Sequence, residues 1–137
     1  MGHKTDQRKH ARLPIERTAL IQHGDDKVHQ GQTSNISFGG AYISLAEQEG
    51  LCVGDICELA LQLGESLDSI EIFFKVRIVR LDERGIAIRF ILINAESYRH
   101  FEQLMVNASP DPIRLLVELD ENRGLAINRE PLEQPAS

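Results

Sequence analysis

The stretch "IEIFFKVRIVRLDERGIAIRFILI" (70–93) decides the fold of this chain. In its first run, 70–81, every second residue from Ile70 onward would lie on the same face of a strand. These residues are apolar as far as Ile78, and the last of them is Arg80. Apolar residues that repeat with a period of two are typical of a β-strand with one buried face. The connection "DERG" (82–85) leads into a second β-rich run, 86–93. A short polar connection that contains glycine predicts that the two runs pair as an antiparallel hairpin.

Shorter segments before this hairpin have the same character. Four strands are predicted there, over 15–22, 27–34, 41–46 and 56–63. The segments between them are rich in Gly, Asp, Asn and Ser, which favour turns. Residues 35–40 are predicted to form a loop. Short strands at this spacing predict an antiparallel barrel or sandwich.

The segment after the hairpin is predicted to be helical. Asn94 is a suitable cap for a helix over about 95–107, in which apolar residues recur at helical spacing. A second helix is predicted from Pro112, with Gly124 as its C-terminal stop. Its residues Ile113, Leu116 and Val117 share one face, which we expect to pack on the barrel. The tail from Asn128 is predicted to be disordered.

Length and charge limit the possible functions. The chain has 137 residues, enough for one domain, and a net charge of −6. Residues 1–17 hold five basic and two acidic groups, whereas the remainder holds ten basic and nineteen acidic groups. An acidic body repels a nucleic-acid polymer, but a basic end can hold a small anion. No signal peptide or membrane-spanning run is recognised, so we expect a cytoplasmic protein without membrane insertion.

Cysteine and histidine give little sign of metal or redox chemistry. Cys52 and Cys57 are spaced unlike a zinc pair and are expected to be reduced, with Cys57 in the core. His23, His29 and His100 are scattered along the chain, so no metal site is predicted.

Two short motifs carry the functional signal. "QRKHAR" (7–12) places two arginines four residues apart, and "NISFGG" (35–40) follows the second predicted strand. Each motif is weak alone, since Arg80 and Arg84 repeat the first spacing and any Asn/Ser/Gly turn imitates the second. In an antiparallel pair the second strand ends beside the start of the first. We therefore expect the two motifs to meet at one end of the barrel.

These motifs, together with "RIVRLDERGIAIRF" (77–90), resemble the PilZ domain family over about residues 7–106. The resemblance implies a six-stranded antiparallel β-barrel followed by one or two α-helices. It also implies a flexible basic arm at 1–12, a barrel with its following helix at 13–106, and a C-terminal helix and tail at 107–137. Ala87 departs from the glycine that many relatives have. Many members of the family bind the second messenger cyclic di-GMP.

The resemblance also implies a set of ligand-binding residues: Arg8, Arg12, Asn35, Ser37, Gly39 and Gly40. Gln7, Lys9 and His10 are possible supporting residues, and a glutamine at position 7 favours one ligand molecule per chain. An arginine fork suits a phosphate or the O6 and N7 edge of guanine. Asparagine and serine supply hydrogen bonds, and glycine allows close approach to the backbone. Each group also has a plainer alternative role. The two arginines could belong to a solvated terminus, Asn35 and Ser37 could form an Asx-type turn, and the glycine pair could form a β-bulge.

The leading hypothesis is a stand-alone bacterial receptor that binds cyclic di-GMP, has no catalytic activity or further cofactor, and signals to an unidentified effector protein. An interaction module that needs no nucleotide is the main alternative. A binder of single-stranded RNA or DNA is disfavoured because aromatic residues are only 5% of the chain. An enzyme is disfavoured because no nucleophile elbow, metal cluster or phosphate loop is recognised.

Overall fold

A computed structural model of the chain describes residues 12–25, 27–63, 70–121 and 126–128, with side chains described as far as residue 117. Six strands precede two helices, and a short strand follows them. The strands are β1 (Thr18–Gln22), β2 (His29–Ile36), β3 (Gly40–Ser44), β4 (Ile56–Gln62), β5 (Glu71–Leu81), β6 (Gly85–Asn94) and β7 (Ala126–Asn128). The helices are α1 (Ala95–Ala108) and α2 (Pro112–Glu121).

The first six strands close into an antiparallel barrel, as predicted. Each strand pairs with two neighbours in the order β3-β2-β1-β4-β5-β6, and pairing of β3 with β6 joins the ends of the sheet. Closure leaves none of these six strands at an open sheet edge. β7 pairs in parallel with the last residues of β6 and was not predicted.

The barrel core follows the alternation seen in the sequence. Ile72, Phe74, Val76 and Ile78 of β5 are buried, and the residues between them face outward. A shift of register between Ile78 and Arg80 interrupts the pairing with β6. Because this bulge reverses the alternation, Arg80 lies on the exposed outer face although it shares the parity of the buried residues.

Helix α1 closes one end of the barrel. Asn94 caps it as predicted, because its side-chain oxygen accepts a hydrogen bond of 2.8 Å from the backbone N–H of Ser97. Phe101 is fully buried and makes edge-to-face ring contacts with three barrel aromatics. Its ring centroid lies 5.3 Å from that of Phe38, 5.1 Å from that of Phe74 and 5.4 Å from that of Phe90. These contacts tie the helix to β5 and β6, and to the turn after β2.

Two sequence-based expectations need correction. Strand β2 continues to Ile36 and β3 begins at Gly40, so the connection predicted over 35–40 is only residues 37–39. The reason is that Asn35 pairs with Tyr42, which extends the strand pairing toward the turn. The face of α2 expected to pack on the barrel is exposed instead, and Ile113 is 76% exposed. Among the α2 side chains that the structure describes, 112–117, Leu115 is the buried one, and the helix packs on α1.

Two further expectations fall on residues that the structure leaves undescribed. The predicted C-terminal stop at Gly124 and the predicted tail beyond Asn128 both lie outside the described residues, and α2 is described as far as Glu121. Asn128 itself, predicted as the first residue of the disordered tail, is instead the last residue of β7.

Candidate ligand-binding site

The chain that leads into the barrel lies beside the end of β2. The backbone N–H of Leu13 donates to the carbonyl of Ile36 at 2.8 Å, and the N–H of Ile36 donates to the carbonyl of Leu13 at 2.9 Å. This reciprocal antiparallel pair places Arg12, the preceding residue, alongside Ser37. Arg12 is exposed. Gln7, Arg8, Lys9 and His10 lie outside the described residues.

The turn between β2 and β3 is held by Ser37. Its hydroxyl accepts hydrogen bonds from the backbone N–H groups of Gly39 at 3.0 Å and Gly40 at 3.2 Å. Its own backbone N–H donates to the carbonyl of Gly40 at 2.8 Å. Ser37 is buried. The serine of this motif therefore builds the turn, which is the plainer of the two roles considered for it from the sequence.

Asn35 differs from Ser37 because its side chain does not hold the turn by hydrogen bonds. It follows a register shift between Thr33 and Asn35, and it is half-buried. Among the described residues no hydrogen bond to its amide is found. A half-buried amide has three or four hydrogen-bonding positions to satisfy. Asn35 is therefore available to a ligand that approaches the outer face of β2.

A row of side chains continues from Asn35 across the outside of the barrel. Asn35 pairs with Tyr42 of β3, Tyr42 pairs with Ala87 of β6, and Ala87 pairs with Arg80 of β5. The guanidinium carbon of Arg80 lies 5.8 Å from the centroid of the Tyr42 ring, within the range of a cation–π contact. Tyr42 and Arg80 thus form one wall beside the motif residues.

Asp82, in the turn between β5 and β6, fixes this wall. The Tyr42 hydroxyl donates to Asp82 Oδ1 at 2.6 Å, and Arg80 Nε lies 3.8 Å from Asp82 Oδ2. The hydrogen bond from Tyr42 is the main reason that the pKa of Asp82 lies below its usual value, and the bond from the backbone N–H of Arg84 adds to it. The same bond to Asp82 raises the pKa of Tyr42, because it favours the protonated phenol.

A second outward row begins at Gly40. Gly40 pairs with Arg89 of β6, Arg89 with Arg77 of β5, and Arg77 with Ile56 of β4. Both arginines are exposed. They were not predicted as site residues. Strand alternation could have placed each of them on the outer face, but only the register shows that they lie opposite each other and in line with Gly40.

The structure therefore brings together five of the six predicted ligand-binding residues: Arg12, Asn35, Ser37, Gly39 and Gly40. Arg8, the sixth, lies outside the described residues. Tyr42, Arg77, Arg80 and Arg89 are additional polar or charged residues on the adjoining face. The arrangement can present guanidinium groups, one amide and turn backbone to an anionic ligand.

Other parts of the described chain offer little further chemistry. No group of three or more His, Cys, Asp or Glu residues in this part of the chain is arranged to hold a metal ion. Burial, the larger cause, and the nearby carboxylate of Asp55 raise the pKa of the Cys57 thiol to about 11. No helix among the described residues is long and apolar enough to cross a membrane.

A groove of about 580 Å³ crosses the outside of β1, β4, β5 and β6. Phe73 is exposed in this groove, and no motif residue lines it.

Comparison with known proteins agrees with this architecture. The barrel resembles the Bacillus subtilis inhibitor of motility (MotI/DgrA), with a TM-score of 0.60 and 18% identity over 75% of this chain. The matched region is 52% of that protein, so the chain spans about half of its length. The PilZ domain of CeSA from a cellulose-synthesizing bacterium matches with a TM-score of 0.56 and 18% identity, over 69% of this chain and 95% of that domain. No curated protein sequence matches the chain.

At 18% identity these structural matches establish the fold alone. The sequence match is more specific: the family model of the PilZ domain covers residues 6–107, which include both motifs and the whole six-stranded barrel. The chain therefore belongs to the PilZ domain family.

Proposed function

We propose that this chain is a receptor for cyclic di-GMP that signals by binding and has no catalytic activity. The observation that carries the proposal is the backbone pairing of Leu13 with Ile36, which brings Arg12 alongside the turn at Ser37. Membership of a family in which many proteins bind this nucleotide supplies the ligand. The half-buried amide of Asn35 has no hydrogen bond among the described residues and supports the same choice, because guanine offers both donors and acceptors along its edge.

The roles of the residues follow from their chemistry. The fork of N–H groups on Arg12 suits either a phosphodiester or the O6 and N7 edge of guanine. Asn35 would hydrogen-bond the ligand from the opposite side of the Leu13–Ile36 pair. Ser37 would act indirectly, since its hydroxyl holds the backbone N–H groups of Gly39 and Gly40 in the turn. Arg8, four residues before Arg12, would supply the second guanidinium.

Binding would change one surface of the protein. Contacts to Arg8 and Arg12 would hold both arginines against the bound nucleotide at the end of the barrel. The bound nucleotide would add two phosphodiester charges beside a basic surface. An effector protein, still unidentified, would recognise the altered shape and charge. Glutamine at position 7 favours one ligand molecule per chain.

The test is calorimetric titration of cyclic di-GMP into the protein, with GTP and cyclic di-AMP as control ligands. We expect saturable binding near micromolar, about −8 kcal/mol, only for the guanine dinucleotide. Arg12→Ala should weaken binding at least about tenfold, since a hydrogen bond to a charged group contributes about 1.5–3 kcal/mol. Arg99→Ala removes an exposed arginine from α1 and should bind like the parent. If R12A binds as tightly as the parent, the proposed site is wrong.

An interaction module that needs no nucleotide is the second candidate, and two surfaces favour it. The α2 face formed by Ile113, Leu116 and Val117 is exposed, as is Phe73 in the outer groove. Apolar patches of this kind often mark contacts with other proteins. An absence of both heat and melting-temperature shift with cyclic di-GMP would favour this function over the receptor.

A further inference from the structure

Arg77 and Arg89 form a like-charged pair on the outside of the barrel. They lie directly opposite each other on β5 and β6, and both side chains are exposed. In the described part of the chain, neither guanidinium has an ion pair or a hydrogen bond. Ile56, the next residue in their row, is apolar. The pair is therefore not neutralised within its own row.

The neighbouring row adds positive charge. Lys75 is the next outward residue on β5 and pairs with Leu92. The nearest acidic residue in register, Glu58, lies opposite Lys75 and not opposite either arginine. Residues directly opposite in an antiparallel pair have Cβ atoms about 4.5–5.5 Å apart, and like charges at that distance destabilise the sheet. The free protein therefore bears an electrostatic cost that a bound anion would remove.

The position of the pair relates it to the motif. Arg89 pairs with Gly40, the last residue of the turn that Ser37 holds, and Gly40 has no side chain to separate them. An anion bound by the two guanidinium groups would thus adjoin the backbone of Gly39 and Gly40. Two planar forks on adjacent strands offer up to four N–H donors to one phosphate group.

We infer that Arg77 and Arg89 form a phosphodiester-binding site that extends the proposed nucleotide site across β6 onto β5. The inference rests on the proposed function, because Arg12 and the turn must hold the rest of the ligand. It assigns one phosphodiester to the strand pair. This leaves Arg12 to contact the other phosphodiester or the bases.

The test uses three variants of the full chain: Arg77→Gln, Arg89→Gln and Arg77→Lys. Arg99→Gln on α1 is the matched control, since it removes an exposed positive charge away from the barrel face. We expect R77Q and R89Q each to bind cyclic di-GMP at least about tenfold more weakly than R99Q. Without ligand their melting temperatures should rise by about 1–4 °C, because the like-charge contact is lost.

The lysine variant separates charge from geometry. R77K keeps the positive charge and the repulsion, so its melting temperature without ligand should equal that of the parent. It loses the planar fork, so its affinity should fall between those of the parent and R77Q.

Three results would overturn the inference. Equal affinity of R77Q, R89Q and R99Q in a parent that binds cyclic di-GMP would remove the strand site and leave the receptor function intact. A lower melting temperature of the ligand-free glutamine variants would show that no like-charge cost exists. A parent that does not bind the nucleotide would remove the proposed function and the inference together, and acidic protein surfaces would then be the ligands to titrate against the pair.

Discussion

Gly40 belongs to the ligand motif, yet the structure predicts that its main role is to allow the barrel to close. It lies at one end of the β3–β6 pairing, and Gly85 lies at the other end, opposite Ser44. A Cβ atom added to Gly40 would lie 2.2 Å from the carbonyl oxygen of Ile88. Because that oxygen belongs to backbone, the two strands must move apart to accept a side chain. We therefore expect Gly40→Ala to destabilise the fold itself.

The magnitude follows from the local contacts. An ordinary contact requires β3 and β6 to separate by roughly 1 Å, which lengthens the hydrogen bond beside the glycine. That bond joins the N–H of Phe90 in β6 to the carbonyl of Gly39 at 2.9 Å. Its loss costs about 1 kcal/mol, and overpacking costs about 1–3 kcal/mol. We expect G40A to lower the free energy of unfolding by about 2–4 kcal/mol.

Urea denaturation of the ligand-free protein measures this loss, and two other glycines serve as controls. Gly85→Ala, outside the motif, places a Cβ atom 2.1 Å from the carbonyl oxygen of Ile43 and should cost as much as G40A. Gly24→Ala meets no atom within 4 Å, but φ is +64°, so its cost should be about 1 kcal/mol. A G40A protein within about 0.5 kcal/mol of the parent would refute the closure argument and leave ligand approach as the reason for this glycine.

Three further changes test the barrel and the wall beside the site. Phe101→Ala should lower the free energy of unfolding by about 3–5 kcal/mol in urea, because its fully buried ring contacts three aromatics. Asn94→Ala should cost about 0.5–2 kcal/mol in the same assay through loss of the α1 cap. Tyr42→Phe should raise the pKa of Asp82 toward its ordinary value, as followed by NMR titration. Because that pKa is depressed in the folded state, the carboxylate stabilises the fold at pH values above its unfolded pKa. This stabilisation is lost as the pH falls through the folded pKa, and Y42F should make the loss smaller.

Most of the barrel could be predicted because its strands differ from their connections in both pattern and composition. The alternation in β5 and β6 identified the hairpin, and Asn94 marked the start of α1. β7 was missed because three residues are too few to show a period. The α2 face was misassigned because an apolar face shows only that burial is favourable, and does not show what covers it.

The candidate site was only partly predictable, for a reason of geometry. Arg12 and the turn at 37–40 are recognised by their spacing, and their adjacency follows from simple antiparallel pairing. The outer row of Arg77 and Arg89 depends on the register of β5 against β6, and a bulge shifts that register. A shift of one residue moves a side chain to the other face of a sheet, so register cannot be read reliably from alternation alone. The ligand-binding roles of all these residues stay predictions.

The motif residues divide into two groups, and the division decides which substitutions are informative. Ser37 and Gly40 are used by the fold, the first through hydrogen bonds within the turn and the second through its close approach to β6. A barrel that binds no nucleotide would need them equally, so their presence supports the fold more strongly than the ligand. Among the described residues the side chains of Arg12 and Asn35 make no hydrogen bond or ion pair, so neither holds the turn or the barrel by such a contact. Loss of binding in variants of Arg12 or Asn35 therefore reports on the ligand, whereas loss in variants of Ser37 or Gly40 also follows from damage to the turn or the barrel.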